Sequence, residues 1–141
     1  MRNIFFVVII IFLLTGCKNS KNFSKEKILR ESLWYDSCIN RSRIFEFKKH
    51  SLVTKVYNDT KFKNLDNKYS DDIVDYTSDG FILIKDGLGY VCVVANEHSP
   101  TTTIFVECIP NIEYSHDKIK IFKAYSDKEK ALKNQDRCFK F

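Results

Sequence analysis

Apolar and polar positions alternate with two different periods along this chain, and the change of period separates predicted helix from predicted strand. Between Lys25 and Ile39 the apolar side chains recur at helical spacing, while Ser24 offers an N-cap and Glu26 lies in the first turn. The pattern therefore predicts a helix over Lys25–Ile39, with Cys38 in its last turn.

The chain then changes to runs rich in β-branched and aromatic residues, which are typical of strands. Asp86-Gly87 and Gly89 supply turn residues between two of these runs and predict a hairpin. No strand is predicted in the polar stretch Thr60–Asp79. The predicted strands are Arg43–Lys48, Ser51–Asn58, Phe81–Lys85, Gly89–Asn96, Thr102–Ile109 and Lys118–Tyr125.

A second helix is predicted close to the end of the chain. Ser126-Asp-Lys-Glu129 matches the capping box, with Ser126 as N-cap and Glu129 three positions later, and the helix runs to about Gln135. These elements predict an α+β fold, with an antiparallel sheet of five or six strands and a helix near each terminus. They belong to a single globular domain over residues 26–141.

The first residues carry an export signal. Arg2 precedes an apolar run, Ile4–Leu14, whose 11 residues fit the core of a secretory signal. A membrane-spanning helix needs about 20 residues, so the run is too short to cross a bilayer. The sequence that follows, Leu14-Thr15-Gly16-Cys17, resembles the lipobox of bacterial lipoproteins.

This resemblance implies that residues 1–16 are a signal peptide and that Cys17 is acylated. Several acyl chains anchor a protein stably in a membrane, so the lipid bilayer is an expected partner. Residues 17–25 are polar and basic and are predicted to form a flexible stalk. Lys18, in place of an aspartate, implies sorting to the periplasmic face of the outer membrane.

The five cysteines become an even set once Cys17 is assigned to lipid. Four cysteines in an oxidising compartment indicate two disulfides with three possible connectivities. A hairpin folded about Pro100 places Cys92 directly opposite Cys108, close enough for a bridge. The predicted pairs are therefore Cys92–Cys108 and Cys38–Cys138, which would staple the domain.

Metal sites have weak support. Asp75, Asp79 and Asp86 fall at positions of an EF-hand calcium loop, but Asp86 replaces the bidentate glutamate and a strand follows where the motif has a helix. No zinc-type cysteine or histidine spacing occurs, and His50, His98 and His116 are far apart in the sequence. We therefore expect no metal and no cofactor.

The remaining features favour binding over catalysis. The chain has a formal net charge of +5, yet residues 64–117 contain 10 acidic side chains against Lys68 and Lys85. This distribution is compatible with a mixed solvated surface or with an acidic patch that faces a basic partner. No catalytic motif is present, so an enzyme is not expected, and an exported chain without a nucleic-acid motif is not expected to bind nucleic acid.

The functional expectation is an outer-membrane-anchored periplasmic lipoprotein that binds or inhibits another envelope protein. A toxin-immunity protein and an inhibitor of cell-wall hydrolases are examples of this class. The alternative is an envelope or secretion-system assembly accessory, pilotin-like or associated with conjugation. Genomic neighbourhood would separate the two.

Overall fold

The structure, a computed structural model, describes residues 25–96, 102–111, 118–135 and 141. At its centre is a closed barrel of eight antiparallel strands, each paired with the next along the chain. Tyr35 of the first strand pairs with Tyr125 of the last, which closes the cylinder. The elements are α1 (Lys25–Arg30), β1 (Leu33–Cys38), β2 (Arg41–Phe47), β3 (Ser51–Tyr57), β4 (Leu65–Tyr76), β5 (Gly80–Lys85), β6 (Leu88–Asn96), β7 (Thr103–Pro110), β8 (Lys120–Tyr125) and α2 (Lys128–Lys133).

The predicted α+β fold class is wrong, because the protein is mostly β and its two helices are short. The predicted N-terminal helix ends at Arg30, and the residues assigned to its second half form β1. Trp34, Asp36 and Cys38 are alternate residues, so in a strand they lie on the same face. Pairing of β1 with β2 and β8 supplies the backbone hydrogen bonds that make this segment a strand and not a helix.

The longest strand, β4, lies inside the stretch where no strand was predicted. Its residues are mostly polar and give little indication of a strand, and in the structure Ile73 is its one buried residue. The strand forms because β3 and β5 pair with it on both sides. A register shift between Ile73 and Asp75 leaves Val74 facing solvent.

The predicted hairpin between β5 and β6 is confirmed. Asp86 and Gly87 both have positive φ angles, 52° and 77°, and they connect strands paired from Lys85↔Leu88 onward. Two successive positive φ angles are typical of a type I′ turn, whose twist matches that of the flanking strands. The turn residues therefore set the register of this hairpin.

The predicted capping box at α2 is wrong by one residue. The N-cap is Asp127, whose carboxylate accepts hydrogen bonds from the backbone N–H groups of Glu129 and Lys130. Ser126 instead donates its backbone N–H to the carbonyl of Thr102 and so extends the sheet. Because the backbone of Ser126 is hydrogen-bonded to the barrel, the helix begins after this residue.

The Cys92–Cys108 disulfide is present, with the two residues directly opposite each other in the β6–β7 pair. It is the one disulfide with both cysteines among the described residues, so the two predicted staples are not both seen. Cys38 is itself disulfide-bonded. Cys138, its predicted partner, and the predicted lipidation site Cys17 lie outside the described residues.

Candidate functional site

The inside of the barrel is packed with aromatic side chains. The rings of Phe45 and Phe122 stack with centroids 4.1 Å apart, and those of Phe47 and Phe81 meet edge to face at 5.3 Å. All four side chains are buried, as is Trp34. An eight-stranded barrel has an interior just wide enough for side chains to fill, and here these rings fill it.

Helix α1 packs across one end of the barrel. Leu29 is fully buried in the same apolar cluster as the interior rings, and the indole N–H of Trp34 donates to the carbonyl of Leu29 at 3.0 Å. Beside the helix, the hydroxyl of Tyr76 donates to the carbonyl of Lys48 at 2.6 Å, and burial raises the pKa of Tyr76 to about 12. This end is held by packing and by neutral hydrogen bonds.

Two ion pairs are buried inside the barrel. Arg43 pairs with Asp36 across β1 and β2, and burial raises the pKa of Asp36 against the opposing effect of the guanidinium. The ammonium of Lys85 lies 3.0 Å from the carboxylate of Asp71 and 4.4 Å from the ring centre of Tyr69. Each charge has an opposite charge within contact distance, which accounts for its presence in the interior.

The loop between β3 and β4 is organised by one carboxylate. Asp59 accepts hydrogen bonds from the backbone N–H groups of Lys61, Lys63 and Asn64. These bonds, that from Asn64 foremost, lower the pKa of Asp59. The loop is fixed against the outside of the barrel by Ser42, whose hydroxyl donates to the carbonyl of Asp59 at 2.6 Å. The carboxylate of Asp59 is therefore already engaged by backbone N–H groups of the loop.

The outer surface of β5, β6 and β7 is different, because apolar side chains point to solvent from three adjacent strands. The exposed fractions are 40% for Ile84, 46% for Val91, 47% for Val93 and 38% for Ile109. Isolated exposed apolar residues are ordinary, whereas a contiguous group marks an interaction surface. We call this group the β5–β7 face, and its members are Ile82, Ile84, Val91, Val93, Ala95, Phe105, Glu107 and Ile109.

The strand register makes the β5–β7 face continuous. Ile82 lies opposite Val91, and Val91 lies opposite Ile109, so one row of apolar side chains crosses all three strands. A groove of about 240 Å³ runs along the β6–β7 part and is lined by Val93, Ala95, Phe105, Glu107 and Ile109. The face is therefore a shaped surface with a single carboxylate in its groove.

Gly80 leaves Val93 uncovered on the β5 side. The two residues are partners in the register, and a glycine has no side chain to shield its neighbour. A Cβ atom at this position would lie 2.0 Å from the carbonyl oxygen of Cys92, so the close approach of the two strands requires glycine. Gly80 thus allows the close approach of the two strands and leaves Val93 exposed.

The three aspartates that were weak candidates for a calcium site are not brought together. Asp75 lies in β4, Asp79 lies in the turn that follows, and Asp86 lies beyond the far end of β5. A strand of six residues separates the last two by about 20 Å at the usual rise. Within the described ranges no group of three His, Cys, Asp or Glu side chains is placed to hold a metal ion. His98 and His116 lie outside those ranges.

The β5–β7 face was not predicted, although the sequence contains a signal for it. An antiparallel strand with one solvated face alternates apolar and polar residues. The runs Phe81–Ile84, Tyr90–Ala95 and Ile104–Val106 are instead apolar on both faces. The outward residues of these runs, read with the pairing register, would have located the face.

Comparison with known proteins adds no family assignment: no protein-family model, curated protein or solved structure matches the chain. Among the described residues, no helix has the length and apolar character needed to span a membrane.

Proposed function

We propose that this chain is a lipid-anchored envelope protein whose barrel binds another protein, in the manner of an inhibitor or immunity protein. The anchor follows from the resemblance of Leu14-Thr15-Gly16-Cys17 to a lipobox, with the outer membrane as the site of attachment. The barrel is the binding module, and the β5–β7 face is its contact surface.

The observation that carries this proposal is the exposure of Ile84, Val91, Val93 and Ile109 on three paired strands. Leaving such a surface in water costs free energy at about 25 cal/mol per Å² of apolar area, which a partner recovers by covering it. The packed interior leaves recognition to the outside of the barrel. Rigid paired strands also hold the contact residues in place before binding, which lowers the entropy cost of association.

Two acidic residues border the β5–β7 face on the β4 side. Asp72 lies opposite Ile84 and Asp75 lies opposite Ile82, and both aspartates are exposed. An apolar surface with an acidic border suits a partner whose contact surface is apolar with basic residues around it. This arrangement supports the interpretation of the acidic middle segment as a patch for a basic partner.

Site-specific photo-crosslinking in living cells tests the proposal. The full-length chain carries a photoreactive amino acid at Val91 or Ile109 on the β5–β7 face, or at Lys55, which pairs with Ile44 on another part of the barrel wall. We expect Val91 and Ile109 to crosslink the same envelope protein, whereas Lys55 does not. We also expect the chain in the membrane fraction, from which Cys17→Ser releases it.

Binding to the purified crosslinked protein then completes the test. Val93→Lys is expected to weaken binding at least 10-fold, since it places a charge in the centre of the contact, and Lys55→Ala is expected to leave binding unchanged. Equal crosslinking at all three positions, or unchanged binding of Val93→Lys, would contradict the proposal. The identity of the captured protein separates an inhibitor from an assembly accessory.

A further inference from the structure

Glu107 is surrounded by apolar side chains on the outside of the barrel. The register places Val93 of β6 on one side of it and Ile121 of β8 on the other. Along β7 its same-face neighbours, two residues away in each direction, are Phe105 and Ile109. Its carboxylate is therefore the one charged group among the nearest outward neighbours on three strands.

Within the described part of the chain, Glu107 forms no ion pair. The nearest basic residue on the same face in the register is Lys123, which lies opposite Phe105 and not opposite Glu107. The ammonium of Lys123 lies 5.9 Å from the ring centre of Tyr125. Because Glu107 is partly exposed, its carboxylate is solvated by water in the free protein.

Covering the β5–β7 face removes this water. Loss of hydration without a counter-charge makes the burial of a carboxylate unfavourable, whereas a carboxylate that meets a cation can contribute to binding. A partner with a purely apolar contact surface would therefore bind poorly here. The groove selects for a positive charge at one defined point.

We propose that Glu107 receives a lysine or arginine side chain of the partner protein, and that this pair makes the β5–β7 face specific for a partner with a cation set among apolar side chains. The inference rests on the proposed function and names the partner chemistry at the same surface. Arginine fits this role well, since its guanidinium can meet a carboxylate with two hydrogen bonds.

The charges on and beside the face disfavour two other occupants. A membrane surface with anionic headgroups would be repelled by Glu107, Asp72 and Asp75. A second copy of this chain, docked through the groove about a two-fold axis, would bring two Glu107 carboxylates towards each other. A basic protein surface has neither problem.

Binding of the purified crosslinked partner to the unchanged chain and to four variants tests the inference, with dissociation constants measured at low and high salt. Glu107→Gln keeps the shape of the groove and removes its charge, and we expect it to weaken binding about 30-fold. The same variant should lose much of the salt dependence. Glu107→Lys should weaken binding further. Replacement of the partner's lysine or arginine that meets residue 107 by glutamate should restore binding to this variant.

Glu46→Gln is the matched control, because Glu46 is a partly exposed outward residue of β2, opposite Val53 on another part of the wall. It is expected to bind like the unchanged protein. If Val93→Lys abolishes binding and Glu107→Gln does not change it, the face is the contact surface but the inference is wrong. If neither variant changes binding, the proposed function itself fails.

Two further measurements address the other occupants. Vesicles containing phosphatidylglycerol and phosphatidylethanolamine are expected not to bind the barrel lacking residues 1–24, and binding that Val93→Lys removes would overturn the inference in favour of a lipid surface. Sedimentation is expected to show a monomer. A dimer that Val93→Lys dissociates would overturn the inference in favour of a second copy of the chain on this face. Circular dichroism confirms that each variant keeps the fold.

Discussion

Single charged residues inside the barrel are stabilising only as members of pairs. Lys85 and Asp71 are nearly inaccessible to solvent, with 7% and 10% of their side chains exposed. Transfer of either charge from water into the barrel is unfavourable, and the opposite charge at 3.0 Å compensates for it. Removing one member is therefore more harmful than removing both.

We predict that Lys85→Met lowers the free energy of unfolding by about 3–5 kcal/mol, because it leaves the carboxylate of Asp71 buried without a counter-charge. The double variant Lys85→Met with Asp71→Leu should recover most of this loss, since both buried charges are gone. Urea unfolding followed by circular dichroism measures both values.

The ion pair between Arg30 and Glu26 on α1 provides the comparison for that experiment. These side chains are 41% and 35% exposed, so solvent screens the pair. Arg30→Met should change the free energy of unfolding by no more than about 1 kcal/mol. If Lys85→Met costs no more than Arg30→Met, the buried pair does not have the role assigned to it.

At the scale of elements, predictions from local pattern succeeded where one signal dominated. Asp86-Gly87 identified the β5–β6 hairpin because two positive φ angles strongly favour those residue types. The same hairpin reasoning placed Cys92 opposite Cys108. The residues of β1 were compatible with both helical and strand periodicity, and those of β4 with neither. In both cases pairing with other strands determines that the segment is a strand.

The disulfide joins β6 and β7 from inside the barrel, and we predict that it stabilises this pair without being needed for the fold. Cys92→Ala with Cys108→Ala should lower the free energy of unfolding by about 3 kcal/mol, as expected for a closed loop of this length. The sequence separation of the two cysteines is 16 residues. Denaturant unfolding gives the loss, and an unchanged far-ultraviolet spectrum shows that the strands remain.

An unaltered midpoint of unfolding in this double variant would contradict the prediction. Cys92→Ser with Cys108→Ser is a useful companion, because it removes the same bridge and leaves hydroxyl groups in a buried apolar setting. It should be less stable than the alanine variant by the cost of burying those hydroxyls.

The whole molecule is stabilised by ring packing at the centre of a sheet that has no free edge. Phe122 of β8 stacks on Phe45 of β2 and also lies 6.5 Å from the ring of Phe47. It therefore connects the last strand to the beginning of the barrel across the interior. The β1–β8 pair closes the barrel, and the ring of Phe122 packs inside the same part of the wall.

We predict that Phe122→Ala lowers the free energy of unfolding by about 3–5 kcal/mol, because it removes a large buried side chain and leaves a cavity. Ile39→Ala is the control, since Ile39 is 60% exposed and should contribute no more than about 0.5 kcal/mol. Chemical denaturation measures both. Similar losses for the two variants would show that the interior is not packed as described.

Local sequence was sufficient to predict the β6–β7 and β5–β6 hairpins and the position of Cys92 opposite Cys108, because each depends on residues close together in the chain. It also contains the lipobox-like segment, from which the lipid anchor is proposed. Tertiary structure alone decided that β1 and β4 are strands, that the sheet closes at Tyr35 and Tyr125, and that apolar side chains from three strands form an exposed face. These features arise from pairing between distant segments, and hydrogen bonds with a distant partner leave little trace in local periodicity.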